Sequence, residues 1–396
     1  MPCVLYSFPY RIGHSGICST AWYQVEGAAR GGSRMILLCG SVGRPLPSEV
    51  EIHTTLAIGS VRLPLRYLGR LRACSLHDRI TANWLERHWN RIDLIHGWPL
   101  ASLHTIRVAR RLGIPFVLER PNIHTASAFE ASTIESKIIG IDLPPGHDHE
   151  FNNTSLDREL KEYDKASFLL CPSEFVAKSF REREFNDSHL KRHHYGFDES
   201  KFTTGQQDAT RDRGLVMLYV GSCEPRKGLH YALRAWLESG AQHRGKFLVC
   251  GAFIPNYAEK LISMLEHPSV EILGLRNDIP HLMRASDLLV LPSVEEGSAL
   301  VTYEARASGC VLMVSDATGA VCSHMEDAMV HSVRDYSALA GQIRLLDEDR
   351  VLLRQLRKKS LATVGEISWA AAGTHLSGIY SSLATGEIRE LTLPSQ

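Results

Sequence analysis

LPSVEEGSALVTYEARASG, residues 291–309, is the stretch whose reading decides the fold. It follows the apolar run DLLVLPS, which reads as a strand ending at Pro292, and it leads into a helix expected to begin near Ser298. Gly297, Ser298 and Ala299, with Leu300 behind them, fall where a helix start leaves backbone N–H groups unpaired. Those groups and the helix dipole favour a diphosphate or a sugar hydroxyl. Glu296 stands just before that turn and Glu304 about two turns into the helix. An ionised carboxylate accepts from two O–H donors, so each suits a sugar or a ribose.

Upstream, YVGSCEPRKGLHYALRAW (219–236) ends the first strand of the same half. Gly221 and Ser222 permit a tight turn there, and Arg226 and Lys227 project two cations before the next helix. Two cations at that place suit the charge that builds on a departing diphosphate.

PSVEEGSALVTYEARASG resembles the hallmark of family 4 of the retaining glycosyltransferases, P-S-x-x-E-G-x-x-L-x-x-x-E-A-x-A-x-G, and RKG matches the R/K-K-G of that family. The resemblance implies a GT-B architecture, in which two Rossmann-like α/β domains face a central cleft. It also implies transfer of a sugar from a nucleoside diphosphate sugar to an acceptor hydroxyl with retention. In that reading Glu296 touches the donor sugar, Glu304 its ribose, and Arg226 and Lys227 its diphosphate. Ser222 and the turn from Gly297 to Leu300 complete the donor site. A phosphorylase, a nucleotide-sugar epimerase and a non-catalytic sugar-nucleotide-binding subunit share the scaffold and stand as alternatives.

Outward from these motifs, short apolar runs alternate with helical stretches twice along the chain, the pattern of parallel sheets buried on both faces. The expected division is an N-terminal acceptor-side domain over 1–198 and a donor-binding domain over 199–365. A helix within 366–396 is expected to cross back to the first domain, and the polar segment 193–214 reads as a linker. In the first domain RIGHSGICS places Gly13 and Gly16 where the backbone can approach a ligand. The loop after IPFVLE offers Arg120, Asn122 and His124 to the cleft. Related enzymes carry a histidine near the reacting sugar in this loop, which makes His124 the candidate and His14 its competitor.

Charge is balanced overall, yet residues 1–120 hold 15 Lys+Arg against 7 Asp+Glu. Arg62, Arg66, Arg70 and Arg72 supply much of this excess, which suits either peripheral contact with an anionic membrane surface or acceptor, or a solvated basic helix. Lipid-linked sugars, glycans and small molecules are the expected acceptors, with no nucleic-acid partner. Nine scattered cysteines without a C-x-x-C pair read as reduced core residues. No apolar run is long enough to span a bilayer, and the N-terminus reads as a strand and not a leader, so a cytoplasmic location is expected. GHDHE (146–150) and DED (347–349) read as solvated patches, and neither a metal nor a cofactor is expected.

Overall fold

The computed structural model describes residues 1–58, 61–62, 69–205 and 213–386. The first domain contains strands β1 (Cys3–Ile12), β2 (Arg34–Val42), β3 (Glu51–Thr54), the small antiparallel pair β4 (Ala57–Ile58) and β5 (Val61–Arg62), then β6 (Leu94–Gly97), β7 (Phe116–Glu119), β8 (Phe168–Cys171) and β9 (Leu190–Arg192). Its helices are α1 (Ile17–Arg30), α2 (Arg70–His88), α3 (Leu103–Leu112), α4 (Thr125–Ile139), α5 (Asn153–Lys165) and α6 (Glu174–Arg181). The second domain contains β10 (Val216–Val220), β11 (Lys246–Cys250), β12 (Val270–Gly274), β13 (Leu288–Leu291), β14 (Val311–Ser315) and β15 (Ala328–His331). Between and after these strands come α7 (Leu229–Ser239), α8 (Tyr257–Leu265), α9 (Ile279–Ala285), α10 (Leu300–Ala307), α11 (Tyr336–Glu348), α12 (Arg350–Ala362) and α13 (Trp369–Thr385).

Each domain is a parallel sheet, ordered β3-β2-β1-β6-β7-β8-β9 in the first and β12-β11-β10-β13-β14-β15 in the second. The near-continuous apolar runs explain this, because strands such as Cys3–Ile12 and Val311–Ser315 are buried along almost their whole length. In both sheets the order reverses beside the opening strand, between β1 and β6 and between β10 and β13. Loops diverge at such a reversal and leave a crevice beyond the carboxyl ends of the two strands. The loops after β10 and β13 are the ones that carry Arg226, Lys227 and Glu296.

The expected linker is not a solvated one. His193 to Phe197 are buried where the chain passes between domains, and Phe197 bridges to Ser368 where the chain returns. A side chain on Gly196 would meet the Trp369 nitrogen at 2.5 Å, so only glycine lets the two crossings run this close. The rest of that segment includes 206–212, outside the described residues. Beyond the crossing, α13 lies against α1: Gly27 and Gly373 face each other so closely that a Cβ on Gly373 would sit 2.4 Å from the Gly27 Cα. The Ser33 and Ser377 hydroxyls meet at 2.8 Å, and Tyr380 reaches His96 Nδ1 at 2.6 Å. The last residues of the expected crossing helix, 387–396, fall outside the described residues.

The close contact between α1 and α13 yields a stability prediction. Gly373→Ala gains helix propensity but forces the two backbones apart, and overpacking of this kind costs ~1–3 kcal/mol. Urea unfolding should show the loss, and a variant as stable as the parent would contradict the packing described.

Candidate active site

Arg226 and Lys227 occupy a short turn at Pro225–Lys227, just beyond the end of β10. Arg226 is buried, and a buried guanidinium requires partners for its charge. Its Nη2 donates to Glu224 Oε1 at 2.8 Å, and its Nη1 donates to the Glu295 carbonyl at 2.7 Å and to Glu295 Oε2 at 3.3 Å. Lys227 Nζ pairs with Glu296 Oε1, which also lies 3.6 Å from Arg226 Nη1. Burial, and then the neighbouring guanidinium, push the Lys227 ammonium down to about 7, against the opposing pull of Glu224 and Glu295. The two loops at the β10/β13 reversal are therefore welded by three carboxylates and two cations.

The turn before α10 differs in detail from its sequence reading. The helix begins at Leu300, with Ala299 as its cap in extended conformation. Ala299 donates its N–H to the Thr318 carbonyl at 3.2 Å, so that group is already engaged. The Ser298 hydroxyl is likewise taken, by Tyr303 at 2.7 Å and the Gly319 carbonyl at 3.1 Å. The N–H groups of Gly297 and Ser298 have no internal acceptor among the described residues. Gly297 has a second reason to be glycine: a Cβ there would lie 1.6 Å from the Pro121 carbonyl oxygen of the first domain. Its own carbonyl accepts from Ser173 Oγ at 2.6 Å, again across the cleft.

Glu304 is half-buried, and no hydrogen bond or ion pair to its carboxylate is found among the described residues. Burial raises it to about 7, with Lys201 opposing and Asp198 reinforcing the shift. Ser222 is exposed, and its carbonyl accepts from the Tyr219 hydroxyl at 2.8 Å.

In the first domain the expectations need correction. His124 does not face the cleft: it caps α4, its Nδ1 accepting from the Ala126 N–H at 3.3 Å, and its ring packs against Tyr163, Phe180 and Phe185. That apolar setting, followed by Arg120 and Arg183, lowers it to about 3, so it stays a neutral core residue. His14 is exposed, and among the described residues its hydrogen bond is to the neighbouring Ser15 at 3.1 Å. Gly13, at φ 81°, makes its close approach to the chain's own Arg44, whereas a Cβ on Gly16, at φ 62°, would meet open space. Arg120 is buried and committed to Glu159 at 2.9 Å, and the Asn122 side chain has no hydrogen bond among the described residues.

A cavity of about 650 Å³ opens where β1 and β6 diverge, lined among others by Tyr10, Arg70, Trp98, Asn122, Phe129 and His149. Its wall includes the segment Gly146–Glu150, whose sequence reads as a solvated patch but which reaches across the cleft. His147 Nε2 lies 2.9 Å from Glu224 Oε2, and His149 Nδ1 lies 3.8 Å from Glu295 Oε2. Glu224 raises the His147 imidazole, whereas burial holds His149 well below its usual range. Arg70 is drawn into the same place by Asp148 and by the Tyr10 hydroxyl at 3.0 Å, so it is not part of a free basic face. Arg66 lies outside the described residues, and so does the side chain of Arg62. Asp347 and Asp349 are structural: Asp347 pairs with Arg244 and Arg350, and Asp349 caps α12.

Residues 214–349, the span holding both cationic turn and glutamates, match the family described as Glycosyl transferases group 1. The second domain is a group 1 glycosyl transferase domain. A D-inositol 3-phosphate glycosyltransferase of Corynebacterium efficiens is 27% identical over 215 residues, 48% of this chain and 50% of that protein. An N,N'-diacetylbacillosaminyl-diphospho-undecaprenol alpha-1,3-N-acetylgalactosaminyltransferase of Campylobacter jejuni is 31% identical over 135 residues, 33% of this chain and 36% of that protein. The chain thus spans half or less of these curated relatives. In fold, it resembles Anabaena HepE in complex with UDP, with a TM-score of 0.67 at 17% identity over 96% of this chain and 100% of the other. Sucrose-phosphate synthase of Thermosynechococcus elongatus gives 0.68 at 16% identity over 97% of this chain and 99% of the other. Together with the two parallel sheets, these likenesses establish the GT-B architecture.

The unpaired Glu304 of the glycosyl transferase domain generates a prediction in the empty protein. A carboxyl raised from 4.5 to about 7 on folding binds its proton more tightly folded than unfolded, so its contribution to stability is present below about 4.5 and is lost as pH rises through about 7. Between pH 5 and pH 8 Glu304→Gln should therefore gain on the parent by roughly 1–3 kcal/mol in urea melts. A difference that does not change with pH would show the carboxylate to be solvated.

Proposed function

We propose that this chain is a retaining glycosyltransferase of family 4 that moves a sugar from a nucleoside diphosphate sugar to an acceptor hydroxyl. The observation that carries the reading is the meeting of Lys227 and Arg226 with Glu296 at the β10/β13 reversal, with the Glu304 carboxylate, unpaired among the described residues, about one turn into α10. A diphosphate entering there takes Lys227 away from Glu296 and keeps it charged, which frees the Glu296 carboxylate for sugar hydroxyls. Glu304 holds the ribose.

In the reaction the bond between the anomeric carbon and the phosphate oxygen breaks, and its electron pair leaves with the diphosphate. Arg226 and Lys227 take up that charge in place of a metal. The acceptor oxygen bonds to the anomeric carbon on the same face, and its proton passes to the departing phosphate oxygen. No side-chain nucleophile and no cofactor enters this scheme. The cavity beside Trp98 receives the acceptor, and the tight seam of Gly297 on Pro121 keeps water from the reacting atoms. UDP is the first nucleotide to test, since HepE binds it. A lipid-linked sugar is among the acceptors to test, because the Campylobacter relative is named for one. We place the enzyme in the cytoplasm, with contact at the inner membrane face as one route to such an acceptor. No helix of the described residues is long and apolar enough to cross a membrane.

Arg226→Ala and Lys227→Ala should each lower turnover by roughly 10²-fold or more, since a lost charge at a leaving group weakens the transition state above all. Parent rates in both variants would refute the diphosphate role.

The two glutamates should separate in kinetics. Glu296→Gln lowers the catalytic constant and blurs the choice among sugars on one nucleotide. Glu304→Gln raises the donor Michaelis constant and weakens product inhibition, because ribose binding is common to substrate and transition state. Equal loss of nucleoside diphosphate affinity in both variants, with sugar choice intact, would contradict this division.

A further inference from the structure

The segment Gly146–Glu150 has two faces. One walls the cavity at the β1/β6 reversal, and the other meets the carboxylates that hold Arg226. Its three middle side chains are tied alternately: His147 to Glu224 and His149 to Glu295 in the second domain, and Asp148 to Arg70 in the first. Arg70 in turn donates to the hydroxyl of Tyr10 on β1, so both walls of the cavity are gathered onto this segment.

The ring orientation of His147 follows from its partners. His147 Nδ1 accepts from the His149 N–H at 3.2 Å, so that nitrogen presents its lone pair and Nε2 carries the hydrogen. Nε2 then donates to Glu224 Oε2 at 2.9 Å, while Oε1 of the same carboxylate accepts from Arg226 Nη2 at 2.8 Å. The contact therefore forms with a neutral imidazole. Glu224 thus links a residue of the first-domain wall to a cation of the second domain by two hydrogen bonds, whereas the parallel route from His149 through Glu295 is longer, at 3.8 Å.

We propose that His147 is a positioning residue that couples the diphosphate site to the acceptor cavity. Acting through Glu224 it fixes Arg226, and acting through its own backbone it fixes the wall at Gly146–Glu150. The inference rests on reading the cleft as a nucleotide-sugar site. A diphosphate that immobilises Arg226 immobilises Glu224 and His147 in turn, so the wall of the cavity becomes ordered when the donor site fills. Linkage makes the effect reciprocal: an occupant that orders the wall raises donor affinity by the same factor.

The test uses the full chain with UDP, GDP and ADP as probes in calorimetry, followed by hydrogen exchange at 141–152 with and without the nucleotide that binds. In the parent, nucleotide slows exchange at 146–150, although no residue there is needed to hold the nucleotide itself. His147→Ala weakens nucleotide binding about tenfold, the effect of one lost hydrogen bond to a charged group, and abolishes the slowing. His147→Gln, whose amide N–H can be delivered to Glu224, restores both. Slowing that persists in His147→Ala, or a Gln variant no better than Ala, overturns the coupling and points to a local structural role. Nucleotide binding without any change at 146–150 overturns the coupling alone. Failure of all three nucleotides to bind the parent overturns the donor reading and the coupling with it.

Discussion

A guanidinium buried at the end of a strand is tolerable only while carboxylates surround it, and the burial of Arg226 imposes this condition on everything nearby. Glu224 and Glu295 meet it from within the second domain, and each then has a free oxygen or edge turned toward the first domain. His147 and His149 arrive there, and the cavity wall arrives with them. Glu135 of α4 makes a parallel connection, accepting from His230 at 3.0 Å, Tyr231 at 2.6 Å and Arg334 at 2.8 Å in the second domain. The cleft is therefore closed by polar contacts, with Arg226 Nε and Glu295 Oε1 left without a hydrogen-bond partner among the described residues, and by the close approach of Gly297 to the Pro121 carbonyl. Contacts of this kind hold a defined geometry yet can be exchanged for a ligand's own oxygens, which a purely apolar seam could not do.

The second domain was readable from sequence because its signals are local. The apolar runs specify strands with both faces covered, and loop residues directly after β10 and β13 need no long-range information to be placed at a sheet reversal. Arg226, Lys227 and Glu296 come together for that reason, whereas the charged groups nearest Glu304 are Lys201 and Asp198. The finer expectation about free N–H groups before α10 was only partly met, since Thr318 and Gly319 sit twenty residues downstream and their competition for Ala299 and Ser298 leaves no trace in the motif.

The first domain was less legible, and its histidines show why. A histidine in a loop after a strand reads the same whether it faces a cleft or a core, and the choice for His124 is made by Tyr163, Phe180 and Phe185 from distant elements. GHDHE reads as solvated because its partners, Glu224 and Glu295, belong to the other domain. Alternation of His and Asp in a glycine-flanked loop was the available signal: a short run whose neighbouring side chains have different charge can bridge two surfaces at once. The run 193–214 misled for a related reason, because polar composition suggests a solvated linker, whereas His193 is held by the buried Glu119 carboxylate at 3.1 Å along with the Tyr195 hydroxyl at 2.8 Å.

The bridge between Phe197 and Ser368 bears on how the two domains can move. A domain hung from one strand has three rotations open to it, including twist about the strand. Here two segments of the chain cross side by side, joined by one bridge, locked by Gly196 against Trp369 and braced by Tyr23 stacked on Trp369 at 4.9 Å. Twist would shear one strand past the other, and sideways sway would stretch one of them, so a single soft rotation survives, about the line on which both strands bend. A paired crossing of this kind constrains the second domain as two pins constrain a door, and it favours the one path that keeps Gly297 in register with Pro121.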